Sequence, residues 1–306
     1  MTYILAVPEG AKMERLDKYI AENIENMNRS KLKSGAVKIE VNGKPEKISR
    51  KIRAGDEIRI EWENAVPKNI ESENIPLEII YEDSDVTVVN KAQGMVTHPA
   101  AGNWTGTLVN ALLWRWGKDG SADLRPGIVH RLDKDTSGVI ITARNRASEE
   151  ILQKQIRAHS TKKEYILIVQ GSPKESSGTI KTQIIRDPAD RKRFKAVTDT
   201  SAGKTAITHY RCFASYGGYS LIRVRLGTGR THQIRVHMKY LGCPILGDSI
   251  YSRRDKIFPD ATLMLHARSL TIRLPNGKTE VFKADVPLRF KKILKYLHEN
   301  FKKETH

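Results

Sequence analysis

The sequence predicts an α+β protein built mainly on an antiparallel mixed sheet, with a smaller domain at its N-terminus. Apolar and β-branched runs typical of strands recur along the chain between short Gly, Pro and Asn turns, and only a few segments have helical spacing. Many strands with few intervening helices favour an antiparallel sheet over a doubly wound parallel one. The 306 residues are enough for one large domain and one small one.

The larger domain is expected to hold most of the strands. Its predicted strands lie at 86–90, 139–143, 164–169, 207–213, 221–226 and 269–274. Its predicted helices lie at 108–114, 148–158, 231–241 and 288–300.

The N-terminal part shows its own pattern. Apolar residues at helical spacing over 16–24 predict one helix, and Ser30 can cap a second short one. Alternation over 37–41 and 57–62 predicts two strands, the first ending at an Asn-Gly turn signal at 42–43.

A polar tether separates the two parts. Residues 64–74 are polar and lack periodicity. We therefore expect a small domain over 1–63, a linker over 64–74 and a larger domain over 75–306.

The charge of the chain favours a polyanionic partner. The 53 Lys and Arg against 35 Asp and Glu give a net charge of +18, which makes the phosphate backbone of a nucleic acid the default partner. Residues 29–53 hold nine bases and two acids, and 200–247 hold seven bases and no acid. The alternative is a solvated basic surface. No apolar run of ~18 residues and no basic amphipathic helix stands out, so no membrane partner is expected.

Several common sites are excluded. Cys212 and Cys243 stand in apolar settings without a C-x-x-C pair, which predicts reduced core thiols and a cytoplasmic location rather than zinc or disulfides. No G-x-G-x-x-G follows a strand, and the histidines lack metal-ligand spacing. These patterns therefore support neither a dinucleotide site nor a metal site.

One aspartate is placed where a carboxylate can face a ligand. Asp133 lies between a Pro-Gly turn at 126–127 and the strand-like run 139–141. Taken alone it is equally an ordinary polar turn residue. The full segment 126–138 is more specific, because it contains H-R-L-D-x-x-T-S-G.

That segment resembles the catalytic signature of pseudouridine synthases of the RluA/RluD type. Segments 89–99, 163–171 and 226–237 resemble three further signatures of the same enzymes, in chain order. Two departures are Ala92, where the family usually has proline, and Leu167, where it usually has alanine. The resemblance covers nearly the whole chain.

The N-terminal part resembles the S4 (αL-type) RNA-binding domain. The matching segments are 15–20, 28–30, 41–44 and 54–58. The resemblance implies RNA contacts by four bases, which are Arg29, Lys31, Lys33 and Lys44.

The family resemblance also implies roles in the larger domain. Asp133 matches the catalytic aspartate, Arg230 the arginine that pairs with it, and Tyr165 the tyrosine that stacks on the flipped uracil. Arg131 matches the arginine that enters the RNA stack, and Arg235 is assigned to RNA binding. Whether Asp133 attacks the ribose, attacks the base or removes a sugar proton is left open.

The implied activity is isomerisation of uridine in 23S-type ribosomal RNA or in a ribosome assembly intermediate. The enzyme is expected to be a monomer. Because isomerisation has no redox step, the resemblance implies no metal and no cofactor. The alternative is a non-catalytic RNA-binding assembly factor, in which both domains only hold RNA. A complete set of Asp133, Tyr165 and Arg230 argues for the enzyme.

Overall fold

The computed structural model divides the chain into two compact units. It describes residues 1–25, 27–29, 32, 35–63, 69–100, 102–118, 120–121, 125–190, 192–198 and 202–305. One unit comprises Met1–Ile70 with Ala100–Trp104, and the other comprises Glu71–Pro99 with Thr105–His306. Within the described residues, no helix has the length and apolar character needed to span a bilayer.

The smaller unit is a four-stranded antiparallel sheet with one described helix. Its elements are β1 (Thr2–Ala6), β2 (Glu14–Arg15), α1 (Leu16–Asn23), β3 (Ala36–Val41), β4 (Lys44–Pro45), β5 (Lys51–Ile52) and β6 (Glu57–Trp62). The sheet has the strand order β1-β6-β3-β4. Its core includes the buried side chains of Leu16, Ile20, Ile58 and Ile60. The helix and strands predicted at 16–24, 37–41 and 57–62 are confirmed.

The turn predicted between β3 and β4 is also present. Asn42 and Gly43 have φ values of 53° and 72°, as a two-residue hairpin turn that follows the twist of its strands requires. Ser30, the expected cap of a second helix, lies outside the described residues, as do 64–68 of the expected linker. The described end of that linker contains β7 (Ile70–Glu71).

The larger unit holds most of the secondary structure. Its elements are β8 (Glu78–Glu82), β9 (Val86–Lys91), α2 (Leu108–Arg115), β10 (Gly120–Ser121), β11 (Ser137–Ala143), α3 (Arg146–Arg157), β12 (Lys162–Gln170), β13 (Ser177–Arg186), β14 (Phe194–Val197), β15 (Lys204–Tyr216), β16 (Tyr219–Leu226), α4 (Gln233–Tyr240), β17 (Leu265–Arg273), β18 (Thr279–Lys283), α5 (Leu288–Asn300) and β19 (Lys303–Thr305).

The strands form a mainly antiparallel sheet, as predicted. Among the described residues it has 11 strands, nine of them in the order β14-β13-β15-β16-β12-β17-β11-β9-β8, while β18 pairs with β17 and β19 with β15. The β11–β17 pair is parallel, and the other strand pairs of this sheet are antiparallel. The predicted strands and helices of this unit are all present, most of them with ends shifted by a few residues, while the helix at 288–300 has the predicted ends.

Helix α4 begins later than predicted. We expected it to start at Thr231, but His232 has a left-handed φ of 55° and the helix begins at Gln233. The sequence did not predict the strands β1, β2, β4, β5, β7, β8, β10, β13, β14, β18 and β19.

One face of the sheet is covered by α4. Tyr165 on β12, Val224 on β16 and Tyr210 on β15 lie opposite one another across the strands and are buried. His237 of α4 hydrogen-bonds the hydroxyl of Thr208 on β15, with 2.7 Å between Nδ1 and Oγ1. Tyr165 therefore lies on the helix-covered face of the sheet.

The junction of β11 with β17 tolerates only glycine at position 138. Gly138 has a φ of 115°, and a Cβ there would lie 2.2 Å from the carbonyl oxygen of Ala267. We expect Gly138→Ala to lower the free energy of unfolding by about 3 kcal/mol or more, because both the backbone and the adjacent strand must shift.

Urea denaturation checks this expectation. Gly229→Ala is the matched control, because a Cβ at Gly229 meets no atom within 4 Å. The control should change stability by less than about 1 kcal/mol. Equal effects of the two substitutions would contradict the steric argument.

Candidate active site

Asp133 lies on a short loop that leads into β11, and the backbone of this loop is held in place by a neighbouring segment. The Oγ1 of Thr97 donates a hydrogen bond to the carbonyl of Leu132 at 2.8 Å. The amide of Gly94 donates to the carbonyl of Lys134 at 2.9 Å. The peptide group before Asp133 and the one after Lys134 are thus fixed, and the side chain of Asp133 faces a cavity.

A buried lysine reinforces this arrangement. Lys91, at the end of β9, is fully buried, and its Nζ donates to the carbonyls of Ala92, Met95 and Lys134 at 2.9, 2.7 and 3.1 Å. Burial lowers the pKa of Lys91 to about 7. This one side chain connects the segment after β9 to the loop of Asp133.

His130 anchors the start of the same loop. The backbone amide of Ile141 donates to its Nε2 at 3.2 Å, so that nitrogen carries no proton. Burial, and to a lesser degree the charge of Lys163, holds the pKa of His130 well below its usual range. The imidazole is therefore a neutral structural acceptor near pH 7.

The arginine beside Asp133 is Arg235, on α4. Its Nη1 lies 3.4 Å from Oδ2 of Asp133. Its Nε and Nη2 bind the two carboxylate oxygens of Asp248 at 2.7 and 2.8 Å. Asp248 is itself fixed by the backbone amides of Ile250 and Tyr251, at 2.9 and 3.0 Å. Asp248 thus orients the guanidinium that faces Asp133.

His232 completes the surroundings of the carboxylate. Its Nε2 lies 3.9 Å from Oδ2 of Asp133, and its Nδ1 lies 2.9 Å from the hydroxyl of Tyr251. The ring packs edge-on against Phe194, with 5.6 Å between the centroids. Burial lowers the pKa of His232. A left-handed backbone at a non-glycine residue is strained, and such strain is typical of functional sites.

Tyr165 lines the same cavity. It is 7% exposed, and burial together with the charge of Asp133 raises the pKa of its phenol, which keeps its proton at neutral pH. The cavity has a volume of about 570 Å³, and its lining includes Arg131, Asp133, Tyr165, Arg230, His232 and Arg235. This volume is in the range of small-molecule sites.

The five site residues predicted in the larger unit therefore line one cavity, but the roles expected for two arginines need correction. The Nε of Arg230 donates to the carbonyl of Thr205 at 3.0 Å, and Arg235 holds the position beside Asp133. Arg235, expected to bind RNA, is 5% exposed and bonded to Asp248. Arg235 is among the buried residues of α4, whereas Arg230 precedes the helix.

The predicted RNA contacts of the smaller unit are placed only in part. Arg29 is exposed, and its Nη2 pairs with Oδ2 of Asp17 at 2.8 Å. Lys44 is exposed on β4. Lys31 and Lys33 lie outside the described residues.

Sequence reasoning missed Asp248, His232 and Lys91. A signal for Asp248 was present, because the acid-free stretch 200–247 ends one residue before it. The other two lay inside recognised signatures without a role. In the part of the chain that the structure describes, no three His, Cys, Asp or Glu side chains are grouped to hold a metal ion.

Comparison with known proteins places the chain in a family. Residues 85–240 match the RNA pseudouridylate synthase family. The chain is 43% identical over 286 residues to the ribosomal large subunit pseudouridine synthase D of Borreliella burgdorferi, a match that covers 90% of this chain and 87% of the relative. The chain belongs to the RNA pseudouridine synthase family. It is an isomerase acting on RNA, and the non-catalytic alternative is set aside.

Other relatives agree with this assignment. The synthase is 40% identical over 304 residues to an uncharacterized RNA pseudouridine synthase of Aquifex aeolicus, covering 94% of this chain and 95% of the relative. It superimposes on the solved structure of human RNA Pseudouridylate Synthase Domain Containing 1 with a TM-score of 0.60 and 25% identity, covering 75% of this chain and 89% of that one.

The two arginines of the synthase should differ in importance. The Arg235→Lys variant lacks the bidentate contact with Asp248, and Asp133 therefore loses the group that orients it. We expect about a 100-fold loss of turnover, the cost of a misplacement of about 1 Å. Arg230→Lys should lose less, and tritium release from RNA labelled at uridine C5 measures both. A larger loss for Arg230→Lys would contradict the assignment of Arg235.

The buried lysine should give the synthase a characteristic pH dependence. Between pH 7 and about 10, native Lys91 is deprotonated while the unfolded chain, with its ordinary pKa of 10.5, is protonated. The unfolded state then binds more protons, so this contribution to stability rises with pH. Urea denaturation should show that the free energy of unfolding of the wild type rises relative to that of Lys91→Met across this range. If the free energies of the two proteins change equally with pH, the pKa assigned to Lys91 is wrong.

Proposed function

We propose that this enzyme isomerises a uridine of large-subunit ribosomal RNA, with Asp133 as the reacting carboxylate. The observation that carries the proposal is the cavity in which Asp133 meets Arg235 and His232 and which Tyr165 also lines. Relatives from Borreliella burgdorferi and Zymomonas mobilis bear the name ribosomal large subunit pseudouridine synthase D, which supports the choice of RNA.

The reaction explains why a cavity is needed. Isomerisation breaks the N1–C1′ bond, turns the uracil and joins C5 to C1′, while C5 loses a proton and N1 gains one, with no net oxidation. A uridine stacked in a helix cannot bring C1′ to a carboxylate, so the nucleotide must leave the stack. A space of about 570 Å³ suits a single flipped nucleoside.

Each cavity residue then takes a role. Asp133 acts on the nucleotide by addition or by removal of a sugar proton, and Arg235 holds it in position. Tyr165 offers its ring to the uracil and keeps its phenolic proton. Arg131 is exposed and carries the planar cation suited to the gap left in the RNA stack. Arg230 adds a second cation to the lining.

The smaller unit is assigned to holding the RNA. Its S4-type sequence pattern and the nine bases within 29–53 support this role. Among the described residues, Lys44 is the best placed to contact RNA, because it is exposed on its hairpin. Arg29 is paired with the carboxylate of Asp17. We expect a monomer that meets ribosomal RNA in the cytoplasm.

Substitution of the central carboxylate tests the chemistry. With a large-subunit ribosomal RNA transcript labelled with tritium at uridine C5, Asp133→Asn should lower tritium release at least about 1000-fold, because the amide neither adds nor accepts the proton. Asp135→Asn, two residues away and exposed, is the matched control and should retain activity. Wild-type turnover by Asp133→Asn would refute the assignment.

Mapping pseudouridines in cells with and without the gene tests the substrate separately. The expected result is the loss of one or more sites in large-subunit ribosomal RNA. If every such site persists and a different RNA loses one, the substrate is wrong while the chemistry of Asp133 stands.

A further inference from the structure

The face of the large sheet opposite the cavity carries exposed cations. Successive side chains of a strand point to opposite faces, so Glu164 and Ile166 point away from the face that holds Tyr165. Arg225 lies opposite Glu164, and Arg223 lies opposite Ile166, on β16. Both arginines are exposed.

The next strand extends this cluster. Arg211 on β15 is exposed and lies directly opposite Arg223. Both guanidinium groups approach the ring of Phe213, with the guanidinium carbons of Arg223 and Arg211 at 5.0 and 5.8 Å from the ring centre. Two planar cations are thus held against one half-buried aromatic ring.

A third strand adds another cation on the same side. The Oγ1 of Thr179 on β13 lies 2.8 Å from Nδ1 of His209 on β15, which shows that these side chains share a face. Lys181, two residues along from Thr179, is exposed on that face. We call this surface the outer basic face, and define it by Lys181, Arg211, Phe213, Arg223 and Arg225.

The charges of the outer basic face are not balanced. Across the described residues, none of its four cations forms an ion pair with a carboxylate. Glu164 is the acid in register with it. Like charges placed directly opposite across a pair of strands are destabilising, so the Arg211–Arg223 pair costs the fold stability. A polyanion bound here would remove that repulsion.

We propose that the outer basic face binds a second segment of the RNA substrate, distinct from the segment that delivers the uridine to Asp133. The guanidinium groups bind phosphates, and the Phe213 platform with its stacked arginines takes an unpaired base. The sheet itself separates this face from the cavity, so one hairpin cannot occupy both. The inference rests on the proposed function only in that the substrate is a large folded RNA.

Binding of the full chain to a large-subunit ribosomal RNA transcript tests the proposal. Arg211→Gln/Arg223→Gln should raise the dissociation constant about 10-fold. It should also reduce the slope of log affinity against log salt by about 1.4 for single-stranded RNA or about 1.8 for a duplex, because two phosphate contacts are lost. Lys291→Gln/Lys292→Gln removes the same charge from exposed positions on α5 and should keep the wild-type slope.

Two further measurements distinguish the contribution of base stacking and the effect on catalysis from the contribution of charge to binding. Phe213→Leu should weaken binding about 5-fold or more through loss of base stacking, with the salt slope unchanged. At saturating transcript, tritium release in a single turnover should equal that of the wild type in the double arginine variant, because the residues around Asp133 are intact.

The possible outcomes decide the proposal. Wild-type affinity and salt slope in the double arginine variant would overturn it and favour a role in contacting an acidic protein. If circular dichroism shows that this variant is unfolded, the dissociation constant and salt slope of Lys181→Gln/Arg225→Gln test the proposal in its place. If the wild type binds the transcript but releases no tritium, the proposed substrate fails while the binding measurements still judge the outer basic face.

Discussion

The site depends on one buried ion pair, between Arg235 and Asp248. The two side chains meet through two hydrogen bonds of 2.7 and 2.8 Å, and Asp248 is almost fully excluded from solvent. Removal of one partner from such a pair leaves an uncompensated buried charge, which costs several kcal/mol. The guanidinium has one remaining edge, and that edge faces Asp133. The buried pair therefore holds the guanidinium of Arg235 in a fixed position beside the carboxylate of Asp133.

The loop that carries Asp133 has a second source of order. Its carbonyl groups accept hydrogen bonds from Thr97, Gly94 and the buried side chain of Lys91. The end of β9 and the segment that follows it therefore supply hydrogen-bond donors to the backbone of the loop. A loop whose backbone is bonded in this way behaves like part of the scaffold. Functional side chains on loops need such support, because each one must be held close to its productive geometry.

The sequence was sufficient to predict the mainly antiparallel sheet, the positions of six of its eleven described strands, and two residues, Asp133 and Tyr165, that line the same cavity. The prediction from sequence failed where the backbone conformation of single residues determines the structure. The left-handed backbone of His232 delays the start of α4, and the presence of Arg235 rather than Arg230 beside Asp133 leaves no periodic signal in the sequence. Strand β13 was missed because its buried position 182 is a threonine, which interrupts the apolar alternation between Ile180 and Ile184. Asp248 lies outside the recognised signatures, and its link to Arg235 exists only in three dimensions.

The separation of the site residues along the chain has a consequence for synthesis on the ribosome. Arg235 follows Asp133 by 102 positions, and Asp248 comes 13 positions later still. The strand next to the loop of Asp133, β17, begins only at Leu265. A nascent chain that has exposed Asp133 alone lacks the groups that orient it. The cavity around Asp133 is consequently assembled only after most of the chain has emerged from the ribosome.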